Sequence, residues 1–254
     1  MSAVPVLETR GLGRHFGGLK AVSNVSFSVP EGQVLGVIGP NGAGKSTFIN
    51  LVTGHIKPSE GQVLVDGKDL TGARPWVIAK ARVARTFQIV KPFRGMSVRE
   101  NVAVGILYGP QGTNVMAKAL KAADELLEEV GLSGVGERPP GELSTADARR
   151  LEFAKALALN PRLLLLDEVM AGLRPGEIGP SLELIKSLKA RGITIIVVEH
   201  VMKAILAVSD RVLVLHQGQV LTEGDPREVL ADPRVIEAYL GKRYAERRGG
   251  NADV

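Results

Sequence analysis

A glycine-rich run at residues 39–47 limits what this chain can fold into more than any other feature of its sequence. The run reads Gly39-Pro40-Asn41-Gly42-Ala43-Gly44-Lys45-Ser46-Thr47 and fits the pattern G-x-x-x-x-G-K-[ST] without a gap. The apolar segment 33–38 before it predicts a buried strand, and the segment 46–52 after it predicts a helix. A glycine-rich turn can match the pattern by accident, but this strand and helix favour a phosphate-binding loop in an α/β fold.

The residue types of the loop predict how a nucleoside triphosphate is held. Glycines let backbone N–H groups point inward at phosphate oxygens, and the following helix adds the positive end of its dipole. Lys45 is expected to reach the β- and γ-phosphates, and the Ser46 hydroxyl is expected to ligate Mg²⁺. All residues of the run are therefore candidates for nucleotide binding.

Composition supports an α/β protein. Of 254 residues, 44% are hydrophobic and only 4% aromatic, which favours an aliphatic α/β core over a β-sandwich. Without cysteine the chain has no disulfide or thiolate metal site, and we expect it in the cytosol. No signal-peptide pattern is evident, and no apolar run reaches the ~18 residues of a membrane span. The net charge of +5 is small, so we expect a solvated surface and no nucleic-acid partner.

The periodicity of apolar residues predicts antiparallel strands first, then helices, then parallel strands. Strands are expected over 6–10, 22–29, 61–70, 162–167, 192–198 and 211–224. Helices are expected over 117–130, with Leu120, Leu126, Leu127 and Val130 on one face, and over 182–190. The helix over 182–190 joins two continuous apolar strands, which predicts a parallel sheet.

This pattern predicts one large domain with an insertion. We expect an α/β core and β subdomain over 1–91 and 158–241, interrupted by a helical subdomain over 92–157. Residues 242–254 are expected to form a basic C-terminal tail.

Two adjacent acids follow the apolar strand at 163–166. Ligands of open α/β sheets bind at the carboxyl ends of the strands, so Asp167 is positioned to hold Mg²⁺. Glu168 is one residue further, and we expect it to polarise the attacking water. Two acids at a strand end can also be an ordinary solvated turn, but the phosphate-binding loop favours the catalytic interpretation.

In this order, these features resemble the nucleotide-binding subunit of an ABC transporter, and the resemblance covers nearly all of the chain. It also rests on His15-Phe16-Gly17-Gly18, Arg85-Thr86-Phe87-Gln88, Leu143-Ser144-Thr145-Ala146-Asp147 and Val198-Glu199-His200. The resemblance implies an α/β P-loop NTPase (RecA-like) core with a mainly parallel sheet. An N-terminal antiparallel β subdomain and an inserted α-helical subdomain complete the implied fold.

The resemblance also implies a role for each site residue. Phe16 would stack on adenine, and the catalytic set would be Glu168, His200, Gln88 and Lys45. The cofactors would be ATP and Mg²⁺, with the metal near Ser46, Gln88 and Asp167. His200 would contact the γ-phosphate and stabilise the closed state.

Three positions depart from the family pattern. Val169 replaces a proline, and Arg174 replaces an aspartate that communicates across the dimer in many relatives. The third is the signature, Ser144-Thr145-Ala146-Asp147, which in this family caps the ATP of the opposite subunit. Thr145 and Ala146 replace glycines, and Asp147 replaces a glutamine.

Two interpretations of the signature stay open. Ser144 and Asp147 spell a capping box in which the carboxylate returns to the N-cap amide and repels phosphate. Alternatively, Ser144 is a simple N-cap and Asp147 points to solvent. The signature acts in trans in this family, so a weakened signature in this chain would affect the ATP bound by the partner subunit. This favours a heterodimer with a second ABC ATPase subunit, although a homodimer is possible.

Within the family, segments 16–19, 85–88, 171–175, 199–200 and 231–241 are most similar to importers of branched-chain amino acids. The resemblance implies an ATPase on the cytoplasmic face of the membrane, bound to an integral membrane permease and indirectly served by a solute-binding protein. The alternatives are a lipid-export ATPase, a soluble ABC ATPase outside transport, and a regulatory subunit without turnover.

Overall fold

The computed structural model describes residues 4–240, and within this range the strands form two sheets. The first sheet is antiparallel, with the order β2-β1-β4-β5; its strands are β1 (Leu7–Phe16), β2 (Leu19–Val29), β4 (Glu60–Val65) and β5 (Lys68–Asp69). The second has the order β10-β9-β3-β8-β7-β6; its strands are β3 (Val34–Ile38), β6 (Val83–Arg85), β7 (Leu163–Asp167), β8 (Thr194–Val198), β9 (Arg211–His216) and β10 (Gln219–Gly224).

Every pair in the second sheet is parallel except the hairpin of β9 and β10. The sheet is mainly parallel because helices connect its strands. These helices and those of the insertion are α1 (Lys45–Val52), α2 (Pro75–Lys80), α3 (Val98–Tyr108), α4 (Met116–Glu129), α5 (Thr145–Leu157), α6 (Pro175–Ala190), α7 (Met202–Val208), α8 (Pro226–Ala231) and α9 (Pro233–Leu240). The predicted fold class is confirmed.

The leucines of β7 pack alternately in two separate hydrophobic cores, one on each face of the sheet. Leu163 and Leu165 pack in the core shared with the antiparallel sheet, whereas Leu164 and Leu166 pack in the core shared with the helices. Successive strand residues point to opposite faces, so a strand between two apolar layers has no polar position. Strands β7 and β8 are paired in parallel, so their carboxyl ends lie side by side, with Asp167 opposite Val198.

The insertion is helical, as expected, and contains α3, α4 and α5. The predicted helix over 117–130 is α4, but its fully buried face is formed by Ala119, Ala123 and Leu127. Leu120 and Leu126 are only partly buried against the same core. The small alanines allow α4 to lie close to its neighbours, a contact that the leucine spacing did not indicate.

Some boundaries differ from the expectations. Strand β1 continues to Phe16, and α6 begins at Pro175 instead of 182. The exact limits of the subdomains stay a prediction, and the basic tail at 242–254 lies outside the described residues. Within residues 4–240, no helix is both long and apolar enough to cross a membrane.

Candidate nucleotide and catalytic site

The phosphate-binding loop follows β3 and leads directly into α1. Gly44 has φ 102°, a left-handed value that glycine adopts without strain. A Cβ on Gly44 would collide with the carbonyl oxygen of Ala21, and one on Gly39 would collide with that of Leu215. The Gly218 amide donates to the Ala43 carbonyl at 3.0 Å and supports the loop from the β9–β10 turn. The close packing on both sides therefore requires glycine at positions 39 and 44.

Lys45 lies inside this loop. Its side chain folds back so that Nζ donates to the carbonyl oxygens of Gly39 at 2.7 Å and Pro40 at 3.1 Å. Burial lowers the pKa of Lys45, and the nearby carboxylates of Glu168 and Asp167 act in the opposite direction. The ammonium is thus held over the start of the loop, and a phosphate oxygen is a ligand that a lysine ammonium suits.

An open cavity of about 520 Å³ lies over the loop. It brings together Phe16, Glu168, His200 and the loop residues 41–47, which the sequence analysis had singled out. Its volume is in the usual range for small-molecule sites. Phe16 is 43% exposed, so its ring is open for stacking, and the Arg14 guanidinium lies 4.7 Å from its centre. The lining of the cavity therefore includes both an aromatic ring and the residues of the phosphate-binding loop.

The sequence analysis did not assign four residues that also line this cavity to the site. These residues are Leu19, Lys20, Ala21 and Gln217. Lys20 and Ala21 belong to β2, and Gln217 lies in the β9–β10 turn that binds the loop. The hairpin and residues 22–29 of β2 were predicted, but no local signal in the sequence shows that β2 begins at Leu19 or that either element packs against residues 39–47.

Glu168 is held by two side chains from distant parts of the chain. Gln88 Nε2 donates to Glu168 Oε2 at 2.6 Å, and His200 Nε2 lies 2.8 Å from Glu168 Oε1. Because a carboxylate oxygen accepts, the His200 contact requires a proton on Nε2. Glu168 has φ 50°, a strained value for a non-glycine residue that turns its side chain into the site. The structure thus brings together the predicted base, glutamine and histidine.

Asp167 occupies a different environment from Glu168. It is 5% exposed, and its Oδ2 accepts from Arg85 Nη2 at 3.0 Å. Burial raises the pKa of the Asp167 carboxyl, while the positive charge of Arg85 lowers it. Arg85 also donates to Asn50 Oδ1 at 2.7 Å, which ties the pair to α1. Neither Asp167 nor Gln88 lines the cavity: Asp167 is buried, whereas Gln88 is exposed and reaches the site through its contact with Glu168.

These residues fit Mg²⁺ bound together with phosphates better than a metal held by protein alone. Within the described part of the chain, no group of three or more His, Cys, Asp or Glu side chains could hold a metal ion. Mg²⁺ commonly takes one or two carboxylates, substrate phosphates and water. Asp167 supplies a carboxylate, Ser46 a hydroxyl and Gln88 an amide, all oxygen ligands of the kind that Mg²⁺ prefers.

The signature residues begin α5, and the predicted capping box is wrong in one respect. The Asp147 amide donates to Ser144 Oγ at 3.1 Å, as an N-cap requires. The Asp147 carboxylate, however, accepts from the Ser144 hydroxyl at 2.8 Å instead of returning to the Ser144 amide. Arg150 Nη1 lies 3.5 Å from the other carboxylate oxygen and draws the side chain toward itself. Thr145 and Ala146 are in the first turn of the helix.

The other two departures have simple local consequences. Val169 is buried, at 2% exposure, so the apolar side chain fills the place after Glu168. The Arg174 amide donates to Glu177 Oε2 at 2.7 Å and begins α6.

Comparison with known proteins places this geometry in a family. The ABC transporter model matches residues 22–171, and the model of the branched-chain amino acid ATP-binding cassette transporter matches residues 219–245. The high-affinity branched-chain amino acid transport ATP-binding protein LivG of Salmonella typhimurium is 40% identical over 251 residues, covering 94% of this chain and 98% of LivG.

Solved structures agree. The ADP conformation of an ATP-binding cassette of an ABC transporter has a TM-score of 0.84 and 34% identity, covering 94% of this chain and 99% of that chain. A dimeric ATP-binding cassette bound to ADP and Pi in a post-hydrolysis state has a TM-score of 0.79 and 26% identity, covering 87% and 99%. The chain belongs to the ABC transporter family, as an ATP-binding cassette that hydrolyses ATP.

Proposed function

We propose that this cassette is the ATP-hydrolysing subunit of an importer for branched-chain or related amino acids. It binds integral membrane permease subunits from the cytoplasmic face of the membrane, and a solute-binding protein delivers the amino acid to the permease. The observation that carries the proposal is Glu168, held between Gln88 and His200 beside the phosphate-binding loop. Relatives named as branched-chain amino acid transport ATP-binding proteins support the substrate class.

In this proposal, the loop side of the site binds and polarises ATP. Phe16 stacks on adenine, and the amides of residues 39–47 with Lys45 stabilise charge on the β- and γ-phosphates. Ser46, Gln88 and Asp167 would hold Mg²⁺, which would neutralise phosphate charge there. Arg85 holds the Asp167 carboxylate in place and supplies a positive charge next to it inside the protein.

The opposite side of the site activates water. Glu168 accepts a proton from the water that attacks the γ-phosphate, and His200 contacts that phosphate. In the structure both Glu168 oxygens are occupied by Gln88 and His200. Each carboxylate oxygen can accept a second hydrogen bond, so water can reach Glu168 while the Gln88 contact stays. Because His200 is proposed to contact the γ-phosphate, we propose that nucleotide draws His200 away from the carboxylate.

Two cassettes enclose ATP between them, and the signature of each faces the ATP of the other. The dimeric solved cassette supports this assembly. Because the Asp147 carboxylate occupies the Ser144 hydroxyl, that hydroxyl is less available to a partner's phosphate. We therefore propose a heterodimer in which a second ABC ATPase subunit supplies a stronger signature to the complete site of this chain.

Exposed apolar side chains mark the surface for the permease. Ile89, Phe93 and Met96 are 70%, 50% and 40% exposed and immediately follow Gln88 in the chain. A stretch of eight residues with three exposed large apolar side chains favours a protein contact. Its continuity with Gln88 would let the permease respond to the state of the ATP site.

The lipid-export and soluble alternatives have less support, because the family model at 219–245 describes branched-chain amino acid cassettes. The intact Glu168 and His200 disfavour a subunit without turnover. The test is to purify the full chain from its membrane and reconstitute the proteins that remain bound in vesicles. ATP-dependent uptake of leucine is expected, and Lys45→Ala should keep the permease bound while abolishing uptake. Recovery without any integral membrane protein would contradict the proposal.

A further inference from the structure

Arg149 links the helix of the signature to the backbone of the catalytic site. It lies on α5, and its Nη1 donates to the carbonyl oxygens of Phe87 at 3.2 Å and Gln88 at 2.5 Å. Its Nη2 lies 3.5 Å from the carbonyl oxygen of Ala171, in the loop after Glu168. All three acceptors belong to the main chain, so these contacts fix the path of the backbone rather than a particular side chain.

The guanidinium suits this task. Arginine presents several N–H donors in a fixed plane, so one side chain can hold two neighbouring carbonyls at once. Arg149 is partly buried, and its Nε is buried without a hydrogen-bond partner among the described residues. Leaving a buried donor unpaired is costly, and the charge-assisted contacts to the carbonyls offset that cost.

Gln88 is therefore held at both ends. Its carbonyl is bound by Arg149, and its side-chain amide donates to Glu168 Oε2. Gln88 thus connects Arg149 directly to Glu168. A shift of α5 would move the Gln88 carbonyl and with it the amide that contacts Glu168.

A second positively charged side chain of α5, that of Lys155, binds the backbone shortly after Gln88. Lys155 Nζ donates to the Lys91 carbonyl at 3.1 Å, and the buried Glu152 accepts from Lys155 at 2.6 Å. Arg149 and Lys155 lie on a single helix that begins at Thr145. The segment 87–91 is consequently bound to α5 at two places, by Arg149 at Phe87 and Gln88 and by Lys155 at Lys91.

We propose that Arg149 is a positioning residue for hydrolysis, which acts by setting Gln88 against Glu168. Because α5 begins with the signature, Arg149 also connects contact with the partner's ATP to the chain's own catalytic glutamate. The inference rests on the proposed roles of Gln88 and Glu168.

The test is a double-mutant cycle on ATP hydrolysis by the full chain with its co-purified partner subunits. Arg149→Met and Gln88→Ala should each lower kcat by roughly 10- to 100-fold, since small displacements in an active site have effects of this size. The KM for ATP should change less than about twofold, because the phosphate-binding loop is untouched. The double variant should be no more than about twofold slower than Gln88→Ala.

Two further variants separate positioning from folding. Arg149→Lys keeps the charge but not the planar fork, so its activity should lie between that of Arg149→Met and that of wild type. Arg191→Met removes an exposed arginine that pairs with Glu129, away from the site, and should stay within about twofold. Hydrogen exchange should quicken at residues 87–91 in Arg149→Met and stay unchanged at 39–47.

The outcomes are distinct. If the losses of Arg149→Met and Gln88→Ala multiply in the double variant, Arg149 acts elsewhere and the inference is wrong, while the proposed function stands. If Gln88→Ala itself hydrolyses ATP at the wild-type rate, the proposed role of Gln88 fails and the inference fails with it. If KM rises as much as kcat falls, Arg149 has a general structural role instead.

Discussion

Removing Arg85 should destabilise this protein far more than removing an exposed arginine. The Arg85 and Asp167 side chains are only 10% and 7% exposed, and they lie 3.0 Å apart. Arg85→Met leaves the Asp167 carboxylate buried without its counter-charge. Loss of one partner of a buried pair costs about 3–5 kcal/mol in the free energy of unfolding. The lost hydrogen bond to Asn50 adds to this effect.

A matched control and a second variant make the measurement specific. Arg162 also pairs with two acids, but it is 35% exposed, so Arg162→Met should cost about 1 kcal/mol or less. Adding Asp167→Asn to Arg85→Met removes the stranded charge and should recover roughly half of the lost stability or more. Urea unfolding measures all of these free energies. An Arg85→Met loss no larger than that of Arg162→Met would refute the argument.

Two further predictions concern ATP. Lys45→Ala removes charge-assisted phosphate contacts, so ATP affinity should fall by about 1.5–3 kcal/mol, and unchanged affinity by calorimetry would show that the loop is not the phosphate site. Replacing Thr145 and Ala146 with Gly and Asp147 with Gln frees the Ser144 hydroxyl and removes a nearby negative charge. The triple variant, combined with Glu168→Gln, should therefore self-associate more strongly on ATP by light scattering, whereas equal association would show that the signature departures are silent.

The fold was largely predictable because its signals are local. The loop at 39–47, the apolar strands β7 and β8, and the helix between them each follow from residue types at short spacing. Helix α7, of seven residues, was not predicted, and neither were helix α2 and strand β6. Strand β6 has only three residues and α2 has six, so neither is long enough to show a period.

The site was predictable as a set of motifs but not as a set of contacts. Gln88 and Glu168 are 80 residues apart in sequence, and only the fold brings them to 2.6 Å. The pairing of Arg85 with Asp167 and the clamp by Arg149 depend on which side chains face each other across packed elements. Residue type and spacing along the chain do not contain that information.

The Asp147 carboxylate shows how a local rule fails. The capping-box pattern correctly identified Ser144 as the N-cap, because that role depends only on the helix start. The carboxylate had more than one donor within reach, the Ser144 hydroxyl and Arg150, and it took these in place of the backbone amide. Competition between nearby donors is decided by three-dimensional packing.

The most direct test of the central claim is single-turnover hydrolysis of ATP by Glu168→Gln with its co-purified partner. Glutamine keeps the shape of the side chain but cannot accept the proton of the attacking water, so hydrolysis should slow by about 10²- to 10⁴-fold. ATP affinity should stay near that of the wild type, and an ATP-bound dimer should accumulate. Turnover close to the wild-type rate would contradict the account, because Glu168 between Gln88 and His200 would then not be the base.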